Sequence, residues 1–424
     1  MKYSVVTFGC RVNQADSLAF EESLRAGGAI AAAPSDADVV IVNTCSVTAT
    51  ADQGARQTVR RIARDNPSAR LIVTGCYATR QPHEVAALPN VVRVVRNADK
   101  ERLVAEIADE AGLTTAERFG AGGGACGASI EPGGSGRTAF TLRVQTGCEQ
   151  SCSYCIIPAT RGAGRSLPID RVLHEVERVV SSGFKEIALT GVHLGSYGRD
   201  LSPRSSLLEL LRALETSAAQ AVFRVSSLEP MDCTPDVVDL IAARGGRFAP
   251  HFHLPLQHAS DRVLARMGRP YTIDGYKRLI DRILTRLPHA SIGSDLIAGF
   301  PGESDEDFAA NTAYLPESGL SHVHVFPYSD RPGTAASSMP GKVPGPIVRQ
   351  RAAALRLIGA DLSRRFRDAQ VGTVRPALTL DDGTLIVTDN YLKLRIAPGF
   401  RRNVRVSVMV DDAAAATVIP ATPP

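Results

Sequence analysis

Short β-branched runs alternating with amphipathic stretches dominate this chain, and they admit few folds. Tyr3–Phe8, Ala37–Val42 and Arg70–Thr74 are mostly apolar and bounded by turn signals, the pattern of strands buried on both faces of a parallel sheet. Asp16–Ala26, Asp52–Arg64 and Lys100–Ala111 carry helical spacing. This βαβ rhythm predicts a doubly wound α/β domain over residues 1–118. A second series, Phe140–Val144, Glu186–Thr190, Ala221–Val225, Phe252–Leu254, Ser291–Leu296 and His322–Phe326, alternates with helices such as Pro168–Ser182 and Leu207–Ser217. Six βα units predict a partial barrel over 138–345, with functional side chains at the carboxyl ends of its strands. Between the two bodies, residues 119–137 are Gly-rich and read as a linker, in which Cys126 is a spare thiol. A basic helix is expected over 346–372. Alternating short strands with turns at Asp381–Gly383 and Pro398–Gly399 predict a small antiparallel barrel in 373–424, with a frayed tail from Ala413.

Hydrophobic residues make up 44% and charged residues 22% of 424, ordinary values for a globular chain. No run of eighteen apolar residues occurs, and the N-terminus reaches Gly9-Cys10 too soon for a secretory leader. A cytoplasmic location with no membrane partner is therefore expected. The net charge is only +4, but twelve Lys/Arg stand against seven Asp from Arg349 onward. Such an excess at one end suits either a polyanionic partner or a solvated basic face.

The cysteines carry the chemistry. Cys10, Cys45 and Cys76 each follow one of the three early strands within a few residues. Carboxyl ends of parallel strands share one sheet edge, so three thiols far apart in sequence converge in space. Cys148, Cys152 and Cys155 form a CxxxCxxC loop directly after the first strand of the second domain. Three thiolates on one tight loop suit three corners of a cubane iron–sulfur cluster and leave the fourth iron for another ligand. Structural zinc is the competitor, but it ordinarily takes four protein ligands. Redox disulfide chemistry leaves one thiol unexplained. Cys233 has no such context.

CxxxCxxC with Tyr154 just before the last cysteine resembles the radical S-adenosylmethionine (SAM) superfamily. The resemblance implies a SAM pocket lined by Gly191 to His193, Ser226, Glu229, the stretch from Leu256 through Gln257 to His258, and the stretch from Asp295 through Gly299 to Glu303. Upstream, FGCRVNQADS, VNTCSVTATAD and VTGCYATR are similar to the segments with which radical SAM methylthiotransferases hold an auxiliary cluster. TDNYLKLRI resembles a segment of the TRAM-type barrel that ends those enzymes. The resemblance implies two 4Fe-4S clusters, on Cys148, Cys152 and Cys155 and on Cys10, Cys45 and Cys76. It also implies one SAM giving methyl, another giving the 5′-deoxyadenosyl radical, and an electron donor such as a flavodoxin or ferredoxin. It assigns no general acid or base and no sulfur donor.

Among the branches, the wording around Cys45 and Cys76 looks most like that of the MtaB type. This implies methylthiolation at C2 of N6-threonylcarbamoyladenosine, at tRNA position 37 in the anticodon stem-loop. Isopentenyladenosine in tRNA and a ribosomal protein aspartate are the alternative substrates. A non-catalytic iron–sulfur electron carrier or RNA-binding sensor is the alternative of another class. Nucleic-acid binding has separate support: Lys393, Arg395, Arg401, Arg402 and Arg405 surround Tyr391, a set suited to phosphate tracking and base stacking. Arg56, Arg60 and Arg64 recur at helical spacing after Cys45, as a basic stripe or as a solvated face.

Overall fold

The computed structural model describes residues 1–110, 132, 138–243 and 246–419. Cys126 lies outside the described residues, as does all of the Gly-rich segment up to Arg137 except Pro132.

Five parallel strands, β1 (Lys2–Thr7), β2 (Ile30–Ala31), β3 (Val39–Thr44), β4 (Arg70–Gly75) and β5 (Val91–Val95), form the first sheet in the order β2-β1-β3-β4-β5. The order reverses between β1 and β3, which opens a crevice at their carboxyl ends. Every residue of β3 is buried, as its apolar run requires. Two edge strands lack that signal: β2 has two exposed residues, and β5 is mostly half-buried. Helices Arg11–Ala26 and Ala49–Asp65 start before their apolar periodicity does. The stretch expected as a helix from Lys100 is a 3₁₀ segment, Asn97–Arg102, running into helix Leu103–Glu110.

The second body contains β6 (Phe140–Arg143), a short antiparallel pair β7 (Gln145–Thr146) and β8 (Arg165–Ser166), then β9 (Glu186–Thr190), β10 (Val222–Val225), β11 (His251–His253), β12 (Ser291–Ala298) and β13 (His322–Pro327). Two parallel sheets, β10-β9-β6 and β11-β12-β13, are joined by the bridges Phe223↔Phe248 and Ser227↔His253. The result is an open six-stranded half-barrel. Its outer face is packed by helices through Ile187, Leu189, Phe223, Val225, Ile292 and Leu296.

Helix Gly345–Asp368 lies across β13, where the absent side chain of Gly359 admits Val323. It leads into an antiparallel sheet of β14 (Val374–Leu380), β15 (Leu385–Thr388), β16 (Lys393–Arg395), β17 (Arg405–Val410) and β18 (Ala416–Ile419), in the order β16-β15-β14-β17-β18. A bridge between Arg395 and Ala415 draws its two edges together. The frayed tail expected from Ala413 is corrected here. Residues Ala416–Ile419 pair with β17, because Ala416 and Val418 cover the small core around Val408 and Val410. This sheet docks under the half-barrel. Asn390 Nδ2 donates to His289 O, Asn403 Nδ2 to Gly183 O, and Arg405 Nη2 to Lys185 O and Gln220 O, all just before barrel strands.

Asp16 joins the first two bodies. Its buried carboxylate accepts from Lys100 Nζ at 2.8 Å and from Arg143 Nη1 of β6 at 2.5 Å, with Arg161 Nη2 at 3.5 Å. Burial alone would raise its pKa, but the three cations prevail and hold it at about 2. Removing one partner of such a buried network strands the other charges, so Asp16→Ala is expected to cost about 3–5 kcal/mol in denaturant unfolding. The sign with pH is fixed as well. The Asp16 contribution is complete above the unfolded carboxyl pKa of about 3.9 and is lost as pH falls through the folded value. Wild-type protein should lose stability between those values, and the variant should lose less.

A candidate double-cluster site

The early cysteines meet because two glycines allow it. Gly9 sits at φ +85°, and a Cβ there would lie 2.6 Å from Cys45 Sγ. Gly75 sits at φ +101°, and a Cβ there would lie 2.1 Å from Thr44 O. The loops leaving β1, β3 and β4 therefore close on one another at the crevice. Cys10 is exposed at the start of helix Arg11–Ala26, whereas Cys45 and Cys76 are buried. Burial pushes the Cys45 thiol up to about 11, with Cys10 and Cys76 adding to the shift. Val47 N–H points at Cys45 Sγ (3.5 Å) and Asn97 Nδ2 at Cys76 Sγ (3.6 Å).

The late trio rides a loop fixed at several points. Gly147 at φ +76° leaves no room for a side chain, since a Cβ would lie 1.8 Å from Ala163 O. Cys148 N donates to Gly162 O, Ser153 N to Met267 O and Cys155 N to Cys152 O. Burial pushes the Cys155 thiol up to about 12. Arg269 Nη1 donates to Cys152 Sγ at 3.0 Å, and Gln150 N–H to Cys148 Sγ at 3.4 Å. Among the described residues, the His, Cys, Asp and Glu groups whose ligand atoms all fall within 4.8 Å of one another are His253, Asp295 and His324. The cysteine trios are spread wider, as a multi-iron cube requires and a single ion does not.

A single short helix couples the two trios. Ile157–Arg161 begins two residues after Cys155 and packs on helix Cys76–Arg80. Asn97 Nδ2 serves both sides, donating to Thr160 O as well as facing Cys76. Arg161 is buried, donates to Asn13 Oδ1 and Thr146 Oγ1, and leaves Nε with no partner. Across the same seam Asp52 accepts from Ser46 Oγ, Arg80 and Arg331, the last from the segment after β13. Cationic and amide donors thus surround both sets of sulfurs, one of them orphaned. That donor set fits an anionic thiolate-bound cluster, whose potential such hydrogen bonds tune.

The other expected site residues divide. His193 Nε2 lies 2.8 Å from Asp232 Oδ2. Burial would lower its pKa, but Asp232 and the Cys148 sulfur raise it to about 9. Glu229 is ion-paired with Arg269, the arginine on Cys152. Gly191 abuts Gln145, whose Oε1 accepts from Val192 N and His193 N and so shapes that loop. Ser226 Oγ is buried with no partner, an open polar contact at the end of β10. Gln257, at φ +69°, bridges to β12 through Asp295 O and Ile297 N. Burial would raise the Asp295 pKa, but the His253 and His324 contacts to its Oδ1, at 3.1 and 3.2 Å, hold it at about 2. Gly299 stands apart. It makes a turn pressed on Val348, its N–H taken by Glu303, itself buried beside Arg351. His258 is a packed histidine bonded to Asn311 and Ser260 N. Cys233 is a core thiol that burial pushes up to about 12.

Two expectations about RNA contacts change. Tyr391 does not stand free in a basic patch; its ring lies 4.7 Å from both the Arg224 guanidinium and the His251 ring. Arg405 is spent on docking, and Arg402 donates to Asp381 O, which leaves Lys393 and Arg395 on β16 and Arg401 exposed. In the early stripe Arg56 binds Tyr77 and Glu84.

Residues 2–96 match the model of an uncharacterized protein family, UPF0004, and residues 142–314 that of the radical SAM superfamily. The chain is 34% identical over 407 residues to a threonylcarbamoyladenosine tRNA methylthiotransferase MtaB of Aquifex aeolicus, covering 93% of this chain and 96% of that one. This chain belongs to the radical SAM methylthiotransferases of MtaB type. A tRNA-2-methylthio-N(6)-dimethylallyladenosine synthase of Acidothermus cellulolyticus is 33% identical over 389 residues, covering 89% of this chain and 77% of its own. A radical SAM methyltransferase of Kitasatospora setae, TsrM, shares the fold at a TM-score of 0.55 and 16% identity, over 79% of this chain and 76% of that one.

Within this methylthiotransferase the residues that motif reading passed over are Arg161, Arg269, Asn97 and Gln145. Gln145 alone had a local signal, three residues before Cys148. Reconstituted wild-type protein should hold about eight irons per chain, and Cys10→Ala or Cys148→Ala about four, by iron and sulfide quantitation.

Proposed function

We propose that this protein adds a methylthio group to C2 of N6-threonylcarbamoyladenosine at tRNA position 37. Its cofactors are 4Fe-4S clusters and SAM. In this reading Cys148, Cys152 and Cys155 hold the SAM-cleaving cluster, and Cys10, Cys45 and Cys76 hold the auxiliary one. When bound, the clusters and SAM supply a radical able to act at an unactivated carbon, together with the sulfur and methyl that are transferred.

The observation that carries the reading is the single helix Ile157–Arg161, which runs from the late trio onto the helix bearing Cys76. Two sulfur-bearing edges so joined can serve one substrate atom, which a lone electron carrier does not need. The chain's own work is positioning. Arg269 ties Cys152 to Glu229, so the cluster loop and the end of β10 hold a common geometry. Gln145 fixes the 191–193 backbone where SAM is expected to lie. Ser226 Oγ, Gln257 and Asp295 offer polar contacts along the same strand ends. A TRAM-like role for the C-terminal sheet rests on the exposed Lys393 and Arg395, with phosphate contacts as their chemistry. A cytoplasmic setting with a flavodoxin or ferredoxin as reductant completes the reading.

Nucleoside analysis of tRNA from cells lacking the gene tests it. The 2-methylthio form of threonylcarbamoyladenosine should vanish, return with the wild-type gene, and stay absent with Cys10→Ala or Cys148→Ala. An unchanged ratio of the two nucleosides rejects the substrate. Anaerobic SAM cleavage separates the trios: Cys148→Ala should release no 5′-deoxyadenosine, whereas Cys10→Ala should still release it.

A further inference from the structure

Three parts of the chain converge at the amino end of the half-barrel lumen. Arg11 follows Cys10 directly, Arg224 and His251 belong to β10 and β11, and Tyr391 sits in the turn after β15. Tyr391 holds a left-handed backbone at φ +73°, a conformation that a tyrosine adopts only under constraint. Its hydroxyl accepts from Arg11 Nη2 at 3.2 Å, and the Arg11 guanidinium lies 5.9 Å from its ring. Arg224 and His251 approach the same ring at 4.7 Å each.

The charges do not balance. Arg224 donates to Glu186 Oε1 at 2.9 Å and to Asp389 O at 3.1 Å, while Asp389 is held in a fork by Arg375. Arg11 has no acidic group among its described contacts; its polar partner is a neutral phenol. Two buried nitrogens are also idle. Arg224 is 1% exposed and His251 5% exposed, yet Arg224 Nη2 and His251 Nδ1 have no partner. A half-buried guanidinium with no acidic group among its described contacts, sharing the Tyr391 ring with two orphaned buried nitrogens, suits an anionic acceptor.

We propose that Arg11, with Arg224 and His251 beneath it, binds the carboxylate of the threonylcarbamoyl substituent and so selects that substrate over an adenosine bearing a dimethylallyl group. This rests on the substrate reading above and names the residues that would enforce it. Threonine joined through its amine to a carbamoyl keeps a free carboxylate, whereas the dimethylallyl group is a hydrocarbon. A site with waiting donors rejects the hydrocarbon because its nitrogens would stay unpaired. Arg11 adjoins Cys10, so an anion held there anchors the nucleobase beside the early trio.

The test uses reconstituted full-length protein and anticodon stem-loop RNA carrying threonylcarbamoyladenosine, its methyl ester, or isopentenyladenosine at position 37. Equilibrium binding by fluorescence anisotropy and kcat/KM are both measured. Wild-type protein should prefer the acid to the ester by about tenfold or more in Kd. Arg11→Gln should bring that ratio close to one by weakening the acid alone, and Arg11→Lys should restore part of it. Iron content and circular dichroism report folding. If Arg11→Gln keeps the acid-to-ester ratio, or weakens both RNAs equally, the assignment is overturned while the substrate reading stands. If wild-type protein modifies only the isopentenyladenosine RNA, the substrate reading falls and takes this proposal with it.

Discussion

The buried carboxylate of Asp16 is the contact on which the relative placement of the two sulfur-bearing edges depends. It stands on the first helix, yet it gathers Lys100 from the 3₁₀ segment after β5, Arg143 from the first barrel strand and Arg161 from the helix after the late trio. Of the three cations Arg143 is partly exposed and lies 4.0 Å from Glu101, but Lys100 and Arg161 are buried, so one buried anion faces two buried cations. Uncompensated, that would be costly. The excess is explained by its position: Arg161 reaches past Asp16 toward Cys10 and Cys76 and has an unused N–H. The same residues that join the domains therefore also present an unused donor beside the early cysteines.

How much of this was legible follows from the range of each interaction. Strands buried on both faces announce themselves, so β3, β4 and β9 were placed to within a residue or two. The edge strands β2 and β18 have no such pattern, since their pairing is supplied by neighbours distant in sequence. CxxxCxxC is local and could be read directly. The early trio could be read because three separate cysteines each follow a strand of one parallel sheet. Arg161 and Arg269 had no signal, because in a chain with 42 arginines only three-dimensional placement tells them from the rest.

Tyr391 shows the opposite failure. Its neighbours in sequence are cations on a small barrel, so local reading makes it a base-stacking platform. In the fold, the constrained turn from Thr388 to Tyr391 sets the ring against Arg224 and His251, with 40% of the residue still exposed. Composition identified an aromatic among cations correctly and chose the wrong cations. The exposed pair on β16 remains where the expectation put it.

The docking of the C-terminal sheet beneath the half-barrel has a mechanical consequence. Its side chains grip the backbone immediately ahead of several barrel strands, at Gly183, Lys185, Gln220 and His289, as a stopper grips the neck of a flask. A small domain fixed at so many points cannot swing as a tethered bead, so whatever it contributes to holding a large polymer is contributed in one orientation.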